Sequence, residues 1–134
     1  NSISLKQLHI WNNSGIIEWW GYRSDMVEVF KDVDIVVLPT FYGEGIPKVL
    51  IEGMACSKPI VATDMPGCRD LVIDGSNGIL VKPKDFFDLA KALEKLILDP
   101  GLCKKMGAKG RALAVENYCQ EKIFSKIINL YSDE

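Results

Sequence analysis

The chain has 134 residues, 48% of them hydrophobic, which is enough for one domain that buries most of its apolar surface without disulfide or metal staples. Sixteen basic against 18 acidic residues leave a formal net charge of -2, which offers no sequence-independent attraction to a phosphate backbone and sets nucleic acid aside as a partner. No apolar run approaches the roughly 18 residues of a spanning helix, and NSISLKQLHIW lacks the layout of a signal peptide. Cys56, Cys68, Cys103 and Cys119 lack metal-knuckle spacing, so the expectation is a cytoplasmic protein with reduced thiols.

At the start, Ser4 is placed to cap a short helix reaching about Trp11, with Gln7 three residues on and Ile3 set to staple Leu8. Asn12-Asn13-Ser14-Gly15 reads as a turn, and residues 16–20 as a strand ending at Gly21. Ser24 or Asp25 then caps a second helix with Met26, Val27 and Phe30 on its apolar face. Ile35-Val36-Val37-Leu38 is apolar on both pleat faces and closed by Pro39, the pattern of a parallel strand covered on both sides.

Residues 47–56 read as a helix with Pro47 in its first turn, where the missing N–H does no harm. Residues 59–63 form the next buried strand, residues 68–73 at most a short helix, residues 74–78 a turn and residues 79–81 a further strand. Asp85 caps a long helix with Leu89, Ala90, Leu93, Leu96 and Ile97 on its apolar face, stopping at Asp99-Pro100-Gly101. Helical segments over about residues 102–114 and 120–131 follow, the second with Ile123, Phe124, Ile127, Ile128 and Tyr131 on one face. The βαβαβ order predicts an α/β fold, a right-handed Rossmann-like parallel sheet with helices on both faces.

Such a sheet keeps its ligands at the carboxyl ends of its strands, which directs attention to the loops over residues 21–23, 39–47 and 64–70. The middle loop opens FYGEGIPKVLIEGMA, with Glu44 in a glycine-flanked turn and Glu52 on the helix. Gly43 and Gly45 permit a sharp turn and close approach of a ligand. At the helix start the N–H groups of Gly45, Ile46 and Lys48, with the Lys48 ammonium, form a candidate anion site. Glu52 lies roughly 7.5 Å along the helix at about 1.5 Å per residue, so the two acids bracket that site. A carboxylate accepts two hydroxyl donors, as a ribose diol or a sugar presents them. The competing reading is plain: Glu52 pairs with Lys48 one turn back and Glu44 is a solvated loop residue.

These residues resemble the family 4 glycosyltransferases, retaining enzymes of the GT-B fold, in which Glu44 and Glu52 match a Glu-x7-Glu motif. EGIPKVLIEGMACSKPIVATD matches the surrounding stretch, although the family usually has Ala and Gly where this chain has Gly53 and Ser57. IIEWWGYRSDMVEVFKDVDIVVLPT, PGCRDLVIDGSNGILVKP and LAKALEKLILDP resemble the same family in order, so nearly the whole chain is covered.

The resemblance implies that Glu44 contacts the donor sugar and that the Gly45 and Ile46 backbone meets sugar and diphosphate. It places Glu52 at the ribose hydroxyls and Gly21 and Tyr22 near the base. It implies retention of anomeric configuration with no metal and no cofactor, the nucleotide-diphosphate sugar, UDP- or GDP-linked, being a substrate. The family's diphosphate-clamping Arg and Lys and its N-terminal acceptor domain lie upstream. Residues 1–134 are therefore expected to be a partial C-terminal donor-binding domain that is inactive alone.

The start of the chain, with GEGIPKVLIEGMA and PGCRD, looks most like the subgroup that extends lipid-linked sugars in bacterial surface polysaccharide assembly. That likeness implies a saccharide or polyprenyl-linked acceptor and peripheral association at the inner membrane face, made through the upstream half. The alternatives are a non-catalytic nucleotide-binding module and a GT-B sugar epimerase. His9, Trp19, Trp20, Asp64, Arg69 and Asp70 have adequate structural explanations, and nothing marks Cys56 or Cys68 as a low-pKa nucleophile.

Overall fold

A computed structural model of the chain describes residues 4–15, 17–18, 25–40 and 45–118. In chain order the elements are α1 (Leu5–Ser14), α2 (Met26–Lys31), β1 (Val36–Leu38), α3 (Lys48–Ala55), β2 (Ile60–Thr63), α4 (Pro66–Arg69), β3 (Gly78–Val81), α5 (Phe86–Ile97) and α6 (Pro100–Tyr118). The three strands form one parallel sheet in the order β1-β2-β3, with Val36 opposite Ile60 and Ile60 opposite Gly78.

The unbroken apolar strands follow from burial on both faces. Ile60 and Ala62 join Phe30, Val36, Leu50 and Met54 in one core, while Val61, between them in sequence, joins Val81, Ala92, Leu96 and Met106 in the other. Side chains alternate across a strand, so each face must be apolar to meet its own helix layer. The first core carries α3 and the end of α6; the second carries α5 and the start of α6.

The fold class agrees with the sequence expectation, and several boundaries do not. Ser4 caps α1 through Gln7 N–H at 3.1 Å, but the helix runs to Ser14 because Gly15, at φ 82°, closes it with its N–H on Asn12 and Trp11 carbonyls. Ile17 and Glu18 are not in a strand; the rest of that expected strand, with Ile3, Ser24 and the helix over residues 120–131, lies outside the described residues. Asp25 occupies the N-cap of α2, although its side chain does not cap the first turn. The expected short helix after β2 sits earlier, over Pro66–Arg69, because Pro66 suits the first helical position. The stop expected at residues 99–101 holds for α5, which ends at Ile97, but the next helix begins at Pro100 and not at about 102, with Asp99 accepting from Leu102 N–H at 3.0 Å.

The apolar face of α5 is rotated from its expected position. Ala92 and Leu96 are buried and Leu89 and Leu93 partly so, whereas Ala90 is exposed and Ile97 is 67% exposed. Cys56 and Cys68 are buried and Cys103 half-buried, none of them in a disulfide.

Candidate functional site

β1 ends at Leu38, with Pro39 next on the carboxyl edge of the sheet, and the chain returns to α3 through a loop whose described end is Gly45, Ile46 and Pro47. Pro47, buried and extended at φ -71° and ψ 120°, is the N-cap of α3, and among the described residues no side chain caps the start. Leu50 N–H reaches the Pro47 carbonyl at 3.2 Å. Among the described residues no backbone carbonyl accepts from Lys48 or Val49 N–H, so these first-turn donors, with the positive end of the helix dipole, face out at the sheet edge.

The rest of α3 is held firmly. Leu50, Ile51, Gly53, Met54 and Ala55 are buried, so the apolar side of the helix is fixed against the sheet. Its far end closes in a Schellman arrangement: Lys58 N–H donates to the Gly53 carbonyl and Ser57 N–H to the Met54 carbonyl, both at 3.0 Å, with Ser57 in the left-handed region at φ 60°. Helix α6 locks this end. A Cβ on Gly107 would overlap the Ser57 carbonyl oxygen, and Arg111 Nη1 donates to the Ala55 carbonyl at 2.6 Å.

Glu52 lies on the flank of this anchored helix, half-buried. Burial pushes its carboxyl above the ordinary carboxylate range, and the Lys48 ammonium one turn earlier opposes the shift without cancelling it. Among the described residues no cation lies within ion-pairing distance of Glu52, so the simple Lys48–Glu52 surface pair is not formed. A half-desolvated acid beside an open helix start is suited to accept hydroxyl donors from a bound molecule.

Of the expected site residues, the structure therefore brings Gly45, Ile46, Lys48 and Glu52 to one helix start, with Gly45, Ile46 and Lys48 exposed. Gly21, Tyr22, Glu44 and Gly43 lie outside the described residues, as do Trp19 and Trp20. Arg69 takes the plain role: its Nε donates to Asp64 Oδ1 at 2.5 Å and its Nη2 to the Asp64 carbonyl at 3.2 Å, at the surface. Among the described residues no group of three His, Cys, Asp or Glu side chains converges to hold a metal ion.

One positioning residue escapes a reading of the motif alone. Thr63, buried at the end of β2, donates its hydroxyl to the Thr40 carbonyl, and the Leu38 carbonyl lies 3.4 Å from the same oxygen. It ties the root of the loop that leads to α3 to the neighbouring strand. The available signal was a lone hydroxyl closing the apolar run PIVA in a strand buried on both faces.

Comparison with known proteins agrees with this fold. The family model described as "Glycosyl transferases group 1" matches residues 4–113. The chain is 33% identical over 114 residues to the putative glycosyltransferase EpsD of Bacillus subtilis, covering 85% of this chain and 29% of that protein. It is 35% identical over 119 residues to the N,N'-diacetylbacillosaminyl-diphospho-undecaprenol alpha-1,3-N-acetylgalactosaminyltransferase of Campylobacter jejuni, covering 89% of this chain and 31% of that one. Anabaena HepE, solved in complex with UDP-glucose, superposes with a TM-score of 0.78 at 25% identity, over 96% of this chain and 35% of HepE. The chain thus spans about a third of the length of each of these relatives. With the family model matching most of its length, and with a parallel sheet that superposes on a GT-B domain, the chain belongs to the group 1 glycosyltransferases.

Proposed function

We propose that the protein carrying this chain is a retaining, metal-independent glycosyltransferase. It moves a hexose from a UDP- or GDP-linked sugar to a saccharide or polyprenyl-linked acceptor in cell-surface polysaccharide synthesis. The nucleotide sugar is a substrate and no cofactor takes part. The observation that carries this reading is Glu52: a half-buried carboxylate without a described cation partner, one turn inside a helix start that no described side chain caps.

In this reading the first-turn N–H groups of α3 and the Lys48 ammonium take the diphosphate, whose charge grows as the sugar departs; fixed dipoles aimed at developing charge lower that barrier. Glu52 accepts from the ribose hydroxyls and Glu44 from the sugar, the Gly45 and Ile46 backbone passes between them, and Gly21 and Tyr22 lie by the base. The HepE relative, which holds UDP-glucose, supports a nucleotide-sugar donor. The Campylobacter relative, named for an undecaprenol-linked acceptor, supports a lipid-linked one. Among the described residues no helix is long and apolar enough to cross a membrane, and the proposed place of work is the inner face of the cytoplasmic membrane. Residues 1–134 supply donor binding only and do not transfer sugar alone.

The test is calorimetric titration of the full-length protein with UDP, GDP and their glucose conjugates. The native protein is expected to bind at least one of them, and Glu52→Ala to weaken that binding by about tenfold or more, as for a lost hydrogen bond to a charged group. Unchanged affinity in Glu52→Ala would remove the ribose role. Glu44→Ala is expected to lower turnover more than nucleotide affinity, and the opposite order would count against a sugar contact.

A further inference from the structure

Thr63 closes β2 where two chain segments leave the carboxyl edge of the sheet: β1 exits through Pro39 and Thr40 toward α3, and β2 exits through Asp64 and Met65 toward α4. Val36 N–H donates to the Pro59 carbonyl at 3.0 Å and Leu38 stands opposite Ala62, so a continued ladder would bring Met65 N–H to the Thr40 carbonyl. Met65 N–H instead folds back onto the Thr63 carbonyl at 2.8 Å, while Asp64 N–H stays on the Val81 carbonyl at 2.7 Å. The Thr63 hydroxyl stands in for the diverted ladder donor and reaches the Thr40 carbonyl.

The two exits are held differently. The β2 exit is secured by its own bonds: besides the Met65 turn, Arg69 N–H donates to the Met65 carbonyl at 2.9 Å, and the Arg69 side chain holds both the carboxylate and the carbonyl of Asp64. At the β1 exit Pro39 has no N–H to donate. Beside it a cavity of about 140 Å³, bordered by Pro39, Thr63, Val81 and Leu89 among others, leaves one side thinly packed. One buried hydroxyl thus carries the fixed frame of the β2 exit to the β1 exit.

We propose that Thr63 is a positioning residue for sugar transfer: its hydroxyl sets the direction in which the chain leaves β1, and through it the placement of Glu44, four residues beyond Thr40. This rests on the donor reading above, in which Glu44 meets the sugar while the α3 start and Glu52 hold the nucleotide. Five buried residues and a far end tied down by Arg111 fix α3 without help from Thr63. Loss of the hydroxyl therefore disturbs the sugar step and spares the nucleotide, since a misplaced reacting group costs rate more than it costs binding elsewhere. A hydroxyl that merely completes the sheet would leave both alone or, through lower stability, weaken both together.

Thr63→Val, Thr63→Ala and Thr63→Ser in the full-length protein test this, the last two differing only in the hydroxyl. In calorimetric titration with UDP and GDP all three are expected to bind as the native protein does. Hydrolysis of UDP-glucose or GDP-glucose to the nucleoside diphosphate and glucose, with water as the acceptor, reads the sugar step. Its kcat is expected to fall by about tenfold or more in the valine and alanine variants and to stay near the native value in the serine variant. Hydrogen exchange in the segment joining β1 to α3 should quicken by about tenfold in the valine and alanine variants, with exchange over residues 50–55 unchanged. The inference is overturned if kcat and nucleotide affinity fall together, if serine fares no better than alanine, or if that segment exchanges at the native rate in all three variants. Native protein that binds neither nucleotide would remove the donor reading, and this inference with it.

Discussion

Helices α3 and α5 both start at the carboxyl edge of the same sheet, yet they finish their first turns in opposite ways. At α5, Asp85 accepts from Asp88 N–H and Asp88 reaches back to Lys82 N–H, so the chain's own carboxylates take the donors. At α3 the N-cap is Pro47, which has no side chain able to accept, and among the described residues no group accepts from Lys48 or Val49 N–H. A self-satisfied start is a structural joint, whereas an unsatisfied start on a firmly buried helix keeps its partial charge for a ligand. The difference teaches that openness at α3 depends on rigidity elsewhere: five buried residues and a locked far end hold the helix while its beginning stays free.

The largest expected effect comes from breaking that lock. Gly107→Ala places a methyl group on the Ser57 carbonyl oxygen, a collision with backbone that no rotamer change relieves. A loss of about 3 kcal/mol or more is expected, read as a fall in the denaturant midpoint, with donor binding lost in parallel. A stable Gly107→Ala protein with weakened binding would instead show that α6 tunes the α3 start without supporting it.

Glu52 sharpens the contrast through pH. Its folded-state pKa is raised by burial above the ordinary 4.5, so the folded protein holds the proton more tightly than the unfolded chain. Stability therefore falls as pH rises through the interval between the two values, and the penalty is complete once pH passes the folded-state value. Glu52→Gln removes it: the thermal midpoint without ligand should rise at neutral pH, the gain should vanish well below pH 4.5, and affinity for the nucleotide should drop by about tenfold or more. The matching change at α5, Asp85→Ala, should do the reverse, costing about 1 kcal/mol of stability as a lost cap while leaving nucleotide affinity unchanged. If Asp85→Ala also weakened nucleotide binding, the two starts would be coupled.

Legibility in the sequence followed the range of the interaction. The parallel strands were readable because Ile35-Val36-Val37-Leu38 and Pro59-Ile60-Val61-Ala62 are apolar on both pleat faces, and the Asp85 cap because it is a local bond over three residues. The position of Glu52 on α3 was readable because a helix and its place in a parallel sheet fix where it stands. The end of α5 before Pro100 was readable because proline cannot continue a helix, whereas the start of α6 at Pro100 and not at about 102 was not, because the same residue also suits a first helical position. Thr63 went unread because its partners, the carbonyls of Leu38 and Thr40, lie 25 and 23 residues away. The rotation of the α5 face, with Ala90 and Ile97 outward, depends on which strands the helix crosses, and periodicity carries no such information.

The smallest effect concerns Ser57, one of the two positions where the chain departs from its family's usual residues. Ser57 sits at φ 60°, where a side chain crowds its own backbone, and the Schellman bonds of Ser57 and Lys58 N–H require that conformation whatever residue occupies the place. Glycine removes the crowding, worth about 1 to 2 kcal/mol for a left-handed residue, but its unfolded chain is more disordered by about 0.5 to 1 kcal/mol. The difference predicts that Ser57→Gly stabilises the protein by about 0.5 to 1 kcal/mol, read in the denaturant midpoint, with nucleotide affinity unchanged because the α3 start does not move. The family's other usual residue gives an internal control. A Cβ at position 53 would stand 2.9 Å from Val36 Cγ2 and 3.3 Å from Ile60 Cδ1, so Gly53→Ala must push core side chains aside before any helix-propensity gain appears. The serine-to-glycine change should therefore help alone, whereas the glycine-to-alanine change should help only when Val36 is also made smaller. A Ser57→Gly protein no more stable than the native one would mean that the far end of α3 carries no strain for the family's glycine to relieve.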